Sequence, residues 1–194
     1  MTTRETLLGE CSTAARDTLG KVAQLADEVL RTRADEYDRT GAFPKASFDA
    51  LFGAGLLGAT IPVEAGGLGF GHHRGNTFPL WMMTKLVAKA DLSLARCWEG
   101  HTNSLVLIDA LGTPQQKQRW FSGVIERGEI WVGWSGEPSA PKPGERARFG
   151  TTVTPTADGW IINGSKAFAT SATGATHAIL LVHTEGPGGN TRPR

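Results

Sequence analysis

Cysteine is scarce, and an excess of charge of either sign is missing. Cys11 and Cys97 are the only two cysteines among 194 residues. They fall on separate helical patterns with no C-x-x-C spacing and no histidine cluster beside them, which excludes a disulfide framework and a cysteine-based metal site. Both read as buried thiols, and no metal is expected. The chain carries 20 basic and 19 acidic residues for a formal net charge of +1. With both signs interspersed, no polycationic face exists to neutralise a phosphate backbone, so nucleic acid is not an expected partner. Long apolar runs are absent too. The run at 178–182, AILLV, is far short of the roughly twenty residues of a membrane helix, so no membrane association is expected. The opening MTTRETLLGE lacks the apolar core of a signal peptide, which points to a cytoplasmic protein.

What is present is an ordinary globular composition, 40% hydrophobic and 20% charged, enough for one domain or a domain and a half. Leu7, Cys11, Ala14, Ala15, Leu19, Val22, Ala26, Val29 and Leu30 recur on one stripe and predict a long helix over 3–38. Gly41 breaks it. Pro44 at a first helical position then opens a second helix through Phe48, Leu51 and Phe52. The glycine-rich stretch 61–71 has too many breakers for regular structure and reads as a tight, partly buried loop. Helical patterning returns over 76–90 and 92–111. Thr113, Pro114 and Gln116 then form a capping box that opens a helix over 115–127, with Gly128 closing it. Trp81, Trp98 and Trp120 sit at helical spacing among apolar neighbours and read as packing.

After Gly128 the period changes. Residues 130–134, 151–156, 159–162 and 165–170 read as strands, and Asn163-Gly164 between the last two is a strong signal for a type I′ hairpin. Residues 139–149 read as a solvated loop and 185–194 as a patternless tail. The expected fold class is α+β, an N-terminal all-α helical domain over 1–129 followed by an incomplete antiparallel, barrel-like β domain over 130–194.

Four segments carry a family likeness. They are DRTGAFPKASFDALFGAGLLGATIPVEAGGLGFG (38–71), ALGTPQQKQRWFSGVIERGEI (110–130), GEP (136–138) and INGSKAFATS (162–171). In this order the chain resembles the first half of an acyl-CoA dehydrogenase-type flavoprotein, from about residue 31 to about residue 182. The resemblance implies FAD and an acyl thioester such as acyl-CoA, held between a helical domain, a middle β domain and a C-terminal helical bundle. It implies two flavin-facing segments. One is Trp134, Ser135 and Gly136, where the family offers a backbone amide and a threonine hydroxyl. That hydroxyl is missing at Gly136, and Ser135, one place earlier, points to the opposite face of a regular strand. The other is Phe168, Ala169 and Thr170, with the phenyl ring stacking on the flavin and Thr170 bonding its N5. Taken alone, the same residues also read as a strand aromatic packed in a β core with a hydroxyl at its edge.

The family's catalytic base comes from its C-terminal half, so no catalytic residue is assigned here. After Glu137-Pro138 the family reads G-A-G-S-D, whereas residues 139–144 are SAPKPG. Two prolines remove two amide donors. Lys142, Arg146 and Arg148 could supply charge to a phosphate, or belong to a solvated loop with Glu145. His72 and His73 read as surface imidazoles. PVEAGGLGFG lacks the βαβ setting of a dinucleotide fingerprint. Glu99 either faces a cleft or is paired within its helix. The resulting expectation is an acyl-CoA dehydrogenase-like, FAD-dependent oxidoreductase acting on a small molecule, as an oligomer or with a complementing C-terminal chain. The alternatives are a flavin-dependent monooxygenase on the same scaffold and a non-catalytic truncated scaffold. Because the family takes its base from the C-terminal half, the isolated chain is expected to be catalytically silent towards acyl-CoA and to bind FAD weakly or not at all.

Overall fold

A computed structural model describes residues 9–71, 75–138 and 149–184. His72, His73, Lys142, Glu145, Arg146 and Arg148, the run 139–144 and the tail 185–194 lie outside the described residues. The amphipathic N-terminal stripe forms α1 (Thr13–Leu25), a single π turn (Ala26–Leu30) and α2 (Arg31–Thr40), continuous in backbone. Ser12 starts it, its Oγ accepting from the Ala15 amide at 3.2 Å. Ala15, Leu19, Val22, Ala26 and Leu30 are buried, while α2 buries nothing. The π turn therefore marks where the apolar face runs out. Gly41, at φ 66°, ends the helix by donating to the Tyr37 carbonyl at 2.8 Å, a conformation that glycine adopts without a Cβ penalty.

Helix α3 (Lys45–Gly53) starts one residue after Pro44 and buries Phe48 and Leu51. The glycine-rich loop then folds on itself through Leu68 N to Gly58 O, Gly69 N to Ile61 O and Phe70 N to Ala59 O, at 2.9 to 3.0 Å. A Cβ on Gly67 would lie 2.2 Å from the Ile61 carbonyl oxygen, so the loop closes only with glycine there. Helices α4 (Thr77–Ala90) and α5 (Leu92–Leu111) are parted by Asp91, whose extended backbone lets its Oδ1 cap α5 at the Leu94 amide, 2.9 Å away. Polar residues share the buried face of α5 with apolar ones: Trp98, Leu105, His101, Thr102 and Ser104 are all buried. Helix α6 (Pro114–Arg127) has the expected capping box complete in both directions and stops at Gly128, φ 66°. Trp98 is fully buried and Trp120 packs at the margin of the core, but Trp81 is 67% exposed and does not serve as packing.

Among the described residues five strands follow: β1 (Trp131–Trp134), β2 (Thr152–Thr156), β3 (Gly159–Asn163), β4 (His177–Leu180) and β5 (His183–Thr184). The chain is thus helical and then β, as its period predicts. The expected antiparallel pairing holds for β2–β3 only; β1–β4 and β2–β5 are parallel. Parallel strands need a crossover of about a dozen residues or more, and the chain between β1 and β4 supplies one.

The expected Asn163-Gly164 hairpin does not form. The two-residue turn is Ala157-Asp158, between the paired Thr156 and Gly159, and residues 165–170 are not a strand. At Gly164, φ 146°, a Cβ would lie 2.5 Å from the Thr151 Cα. The chain therefore crosses tightly over the start of β2, where the Thr151 hydroxyl donates to the Ser165 carbonyl at 3.2 Å, instead of pairing back along β3.

Candidate functional site

The six residues singled out by the sequence come from two segments that the fold brings side by side. Trp134 ends β1, with Ser135 and Gly136 following, and Phe168, Ala169 and Thr170 lie on the loop between β3 and β4. The Ala167 amide donates to the Gly136 carbonyl at 3.0 Å, and the Trp134 indole Nε1–H donates to the Thr170 carbonyl at 3.0 Å. Gly136 faces this contact closely. A Cβ there would sit 3.0 Å from the Ala167 oxygen, so backbone rather than side chain is presented at this edge.

A largely buried clasp fixes the two segments. Glu137 accepts from the Lys166 ammonium at 2.7 Å and from the Thr151 and Gly150 amides. The side chains are 13% and 6% exposed, and Lys166 also lies 4.5 Å above the Phe149 ring. The Lys166 ammonium first, and then the two amides, hold the Glu137 carboxyl down at about 2, because each favours the charged form. Glu137 thereby ties the end of β1, the start of β2 and the Phe168 loop to one carboxylate.

Phe168 and Ser171 are the two non-glycine residues at positive φ among the described residues, at 54° and 63°. Left-handed backbone costs an L-residue about 1 to 2 kcal/mol, and such strain concentrates at functional sites. Here it brackets Ala169 and Thr170. Phe168 is 97% exposed, so the reading of its ring as β-core packing does not hold.

Beside Thr170 a cavity of about 130 Å³ opens between the loop, Gly133 of β1 and one face of α5, which contributes Arg96, Glu99, Asn103 and Ser104. Glu99 accepts from Arg96 at 2.5 Å and from the Asn103 amide group. Glu99 is therefore paired within its helix, and it also lines this cavity. Asn103, Ser104 and Lys166 were not anticipated, although the i, i+3 and i+4 spacing of Arg96, Glu99 and Asn103 was available as a signal.

His101, two residues after Glu99 and on the opposite face of α5, is fully buried, and burial pushes its pKa from 6.5 down to about 4. Among the described residues no group of three or more His, Cys, Asp or Glu could hold a metal ion, and no helix is long and apolar enough to cross a membrane.

Comparison with known proteins places these features in a wider set. The model of the acyl-CoA dehydrogenase N-terminal domain matches residues 12–128. A dibenzothiophene monooxygenase of Mycolicibacterium goodii is 30% identical over 182 residues, covering 91% of this chain and 41% of its own length. The human mitochondrial short-chain specific acyl-CoA dehydrogenase is 28% identical over 166 residues, covering 82% and 37%. FMN-bound TdsC from Paenibacillus sp. A11-2 superposes with a TM-score of 0.73 at 29% identity, over 87% of this chain and 40% of its own. The chain spans about two fifths of the length of the relatives it matches.

Proposed function

The chain belongs to the acyl-CoA dehydrogenase family, and from that premise we propose that it supplies the helical platform and the flavin-facing edge of a flavin-dependent oxidoreductase. One observation carries the reading. A fully exposed phenyl ring stands on a left-handed residue at the position where the sequence motif calls for a flavin-stacking aromatic.

The residues fit such a group. Phe168 offers a flat apolar face, the backbone at 134–136 offers hydrogen-bonding groups at close range, and Thr170 offers a hydroxyl whose bond to the Phe168 carbonyl is long, at 3.5 Å, and readily exchanged for another. When bound, the flavin would supply the capacity to accept or deliver a hydride. The protein's own part is to stack, orient and exclude water. FAD is the form the motifs imply and FMN the form bound by the Paenibacillus relative; both carry the ring system that Phe168 would meet. The cleft between Thr170 and the Arg96–Glu99–Asn103 network then receives a small-molecule substrate, with Arg96 and Asn103 able to donate and Glu99 to accept. No base is assigned within the chain. The division at residue 129, the cytoplasmic setting and an oligomeric assembly belong to the same proposal.

A second reading, oxygen-using monooxygenation rather than acyl thioester dehydrogenation, is favoured by Gly136. Its neighbour Ala167 leaves little room for the threonine hydroxyl that the dehydrogenase motif carries. The two are separated by anaerobic addition of an acyl-CoA panel to the flavin-loaded protein completed by a C-terminal half, supplied as a second chain or a fused sequence. Bleaching of the flavin supports dehydrogenation, whereas a requirement for an external reductant and oxygen supports monooxygenation. Absence of flavin binding under all conditions overturns both.

A further inference from the structure

The buried imidazole of His101 joins three elements that the proposed flavin site leaves unexplained. Its Nδ1 lies 3.0 Å from the Trp131 amide nitrogen and its Nε2 3.1 Å from the Leu57 carbonyl oxygen. The tautomer follows from chemistry alone. A backbone amide can only donate, so Nδ1 is the acceptor; the ring proton is then on Nε2, where a carbonyl receives it. The imidazole is thus a spacer of fixed polarity between the glycine-rich loop and the first residue of β1.

Its position on the strand gives this contact its consequence. β4 grips one edge of β1: the Ile130 carbonyl accepts from Thr176 and His177, and the Trp134 carbonyl accepts from Leu181. Alternate residues of a strand direct their polar groups to opposite edges, so Trp131 turns its amide away from β4 and towards α5. Gly133 is next along that edge and Ser135 follows. A Cβ at Gly133 would come 3.7 Å from the Ser104 hydroxyl, so β1 rides close against the same stretch of helix. The neighbouring turn of α5 is held as well, with the Thr60 hydroxyl donating to the Thr102 carbonyl at 3.0 Å. At its far end β1 hands its register to the Phe168 loop through the Trp134 indole and the Thr170 carbonyl.

We propose that His101 is a positioning residue, whose Nδ1 fixes the register of β1 on α5 and so sets where residues 134–136 and the Phe168 loop meet the flavin. The proposal rests on the flavin reading for its functional end and on geometry for the rest. A slip of β1 by one residue would exchange its two edges and replace the Trp131 amide at the ring with a side the imidazole cannot serve.

Three substitutions separate this role from the filling of space. His101→Asn keeps an acceptor near the Nδ1 position, His101→Gln keeps a donor near Nε2, and His101→Leu keeps neither. Nitrogen-15 spectra of the 194-residue chain read the Trp131 amide by its hydrogen-exchange protection and the Trp134 indole by its resonance position. The Asn variant should match the parent at both reporters, and the Gln and Leu variants should lose both. FMN affinity, followed in the same samples, should stay within about threefold in the Asn variant and fall about tenfold in the other two, the latter equivalent to one lost hydrogen bond.

Equal behaviour of the Asn and Gln variants would overturn the proposal, as would an unmoved Trp134 indole in the Leu variant when Trp131 has lost its protection. Should the variants not fold, the parent protein decides: long-range nitrogen-15 spectra must show a neutral His101 protonated on Nε2, and an Nδ1-protonated ring refutes the arrangement. Failure of the parent to bind FMN would count against the flavin reading, while the two strand reporters would still judge the role of His101.

Discussion

Replacing Phe168 by glycine should make the protein more stable and its flavin site worse. The residue holds φ at 54° and is 97% exposed. Left-handed backbone costs an L-residue about 1 to 2 kcal/mol, and glycine is free of that cost. Glycine loses more chain entropy on folding, about 0.5 to 1 kcal/mol, and almost no buried surface is given up because the ring has little. The net expectation is a gain of about 0.5 to 1 kcal/mol. Urea unfolding followed by tryptophan fluorescence should show a higher midpoint at unchanged slope, and the thermal midpoint should rise by about 1 to 4 °C. Phe168→Ala is the control: it removes the ring without relieving the backbone and should be close to neutral in stability. Both variants should bind flavin about three- to tenfold more weakly, the worth of one aromatic stack. Destabilisation of the glycine variant by more than about 1 kcal/mol would show that the ring packs within the fold. Unchanged flavin affinity in both variants would refute the stacking role.

Stability should fall as pH drops from 6.5 towards 4, because the unfolded chain protonates its histidine near 6.5 while buried His101 waits until about 4. The stabilising contribution is complete above pH 6.5 in the parent; its loss should total about 3 kcal/mol once pH falls below about 4, and should shrink in His101→Asn when followed by urea unfolding across that range. Glu137 acts in a lower window: its carboxyl is held at about 2 against an ordinary 4.5, so its stabilising charge is complete above pH 4.5 and is lost as pH falls through 2. Glu137→Gln should release the Gly150 and Thr151 amides to faster hydrogen exchange at neutral pH, and unchanged protection of both would remove the clasp from the account. Gly67→Ala should cost about 2 to 3 kcal/mol by denaturant titration, since its Cβ would meet the Ile61 carbonyl at 2.2 Å; a neutral substitution would mean that the loop closes differently.

Local signals were legible where local chemistry decides. The capping box at Thr113 and Gln116 and the stops at Gly41 and Gly128 each form within one turn of the residues that encode them. The π turn at Ala26–Leu30 was not legible, because apolar spacing of four residues suits an α-helix as well. Asn163-Gly164 misled because a tertiary crossing over Thr151 outweighs a two-residue preference; Asp158-Gly159 carried turn chemistry of its own and lies at the real hairpin. The parallel pairing of β1 with β4 depends on residues far apart in sequence, for which no local pattern exists.

At the site, the motif segments named two stretches of chain that the fold brings together, but residues 165–170 read as a strand where the backbone instead turns left-handed at Phe168 and Ser171. Lys166 and His101 escaped notice for a shared reason. Their partners, Glu137 and Trp131, lie 29 and 30 residues away, and each polar residue becomes informative only once burial removes water as an alternative partner.

The central claim is that the end of β1 and the Phe168 loop form one flavin-facing edge. Titration of FMN into the nitrogen-15-labelled chain tests it most directly, because resonance shifts register even weak binding, residue by residue. The account predicts saturable shifts concentrated at Trp134, Ser135, Gly136, Phe168, Ala169 and Thr170, moving together along one binding curve. Saturable shifts that cluster elsewhere while these six stay still would contradict it.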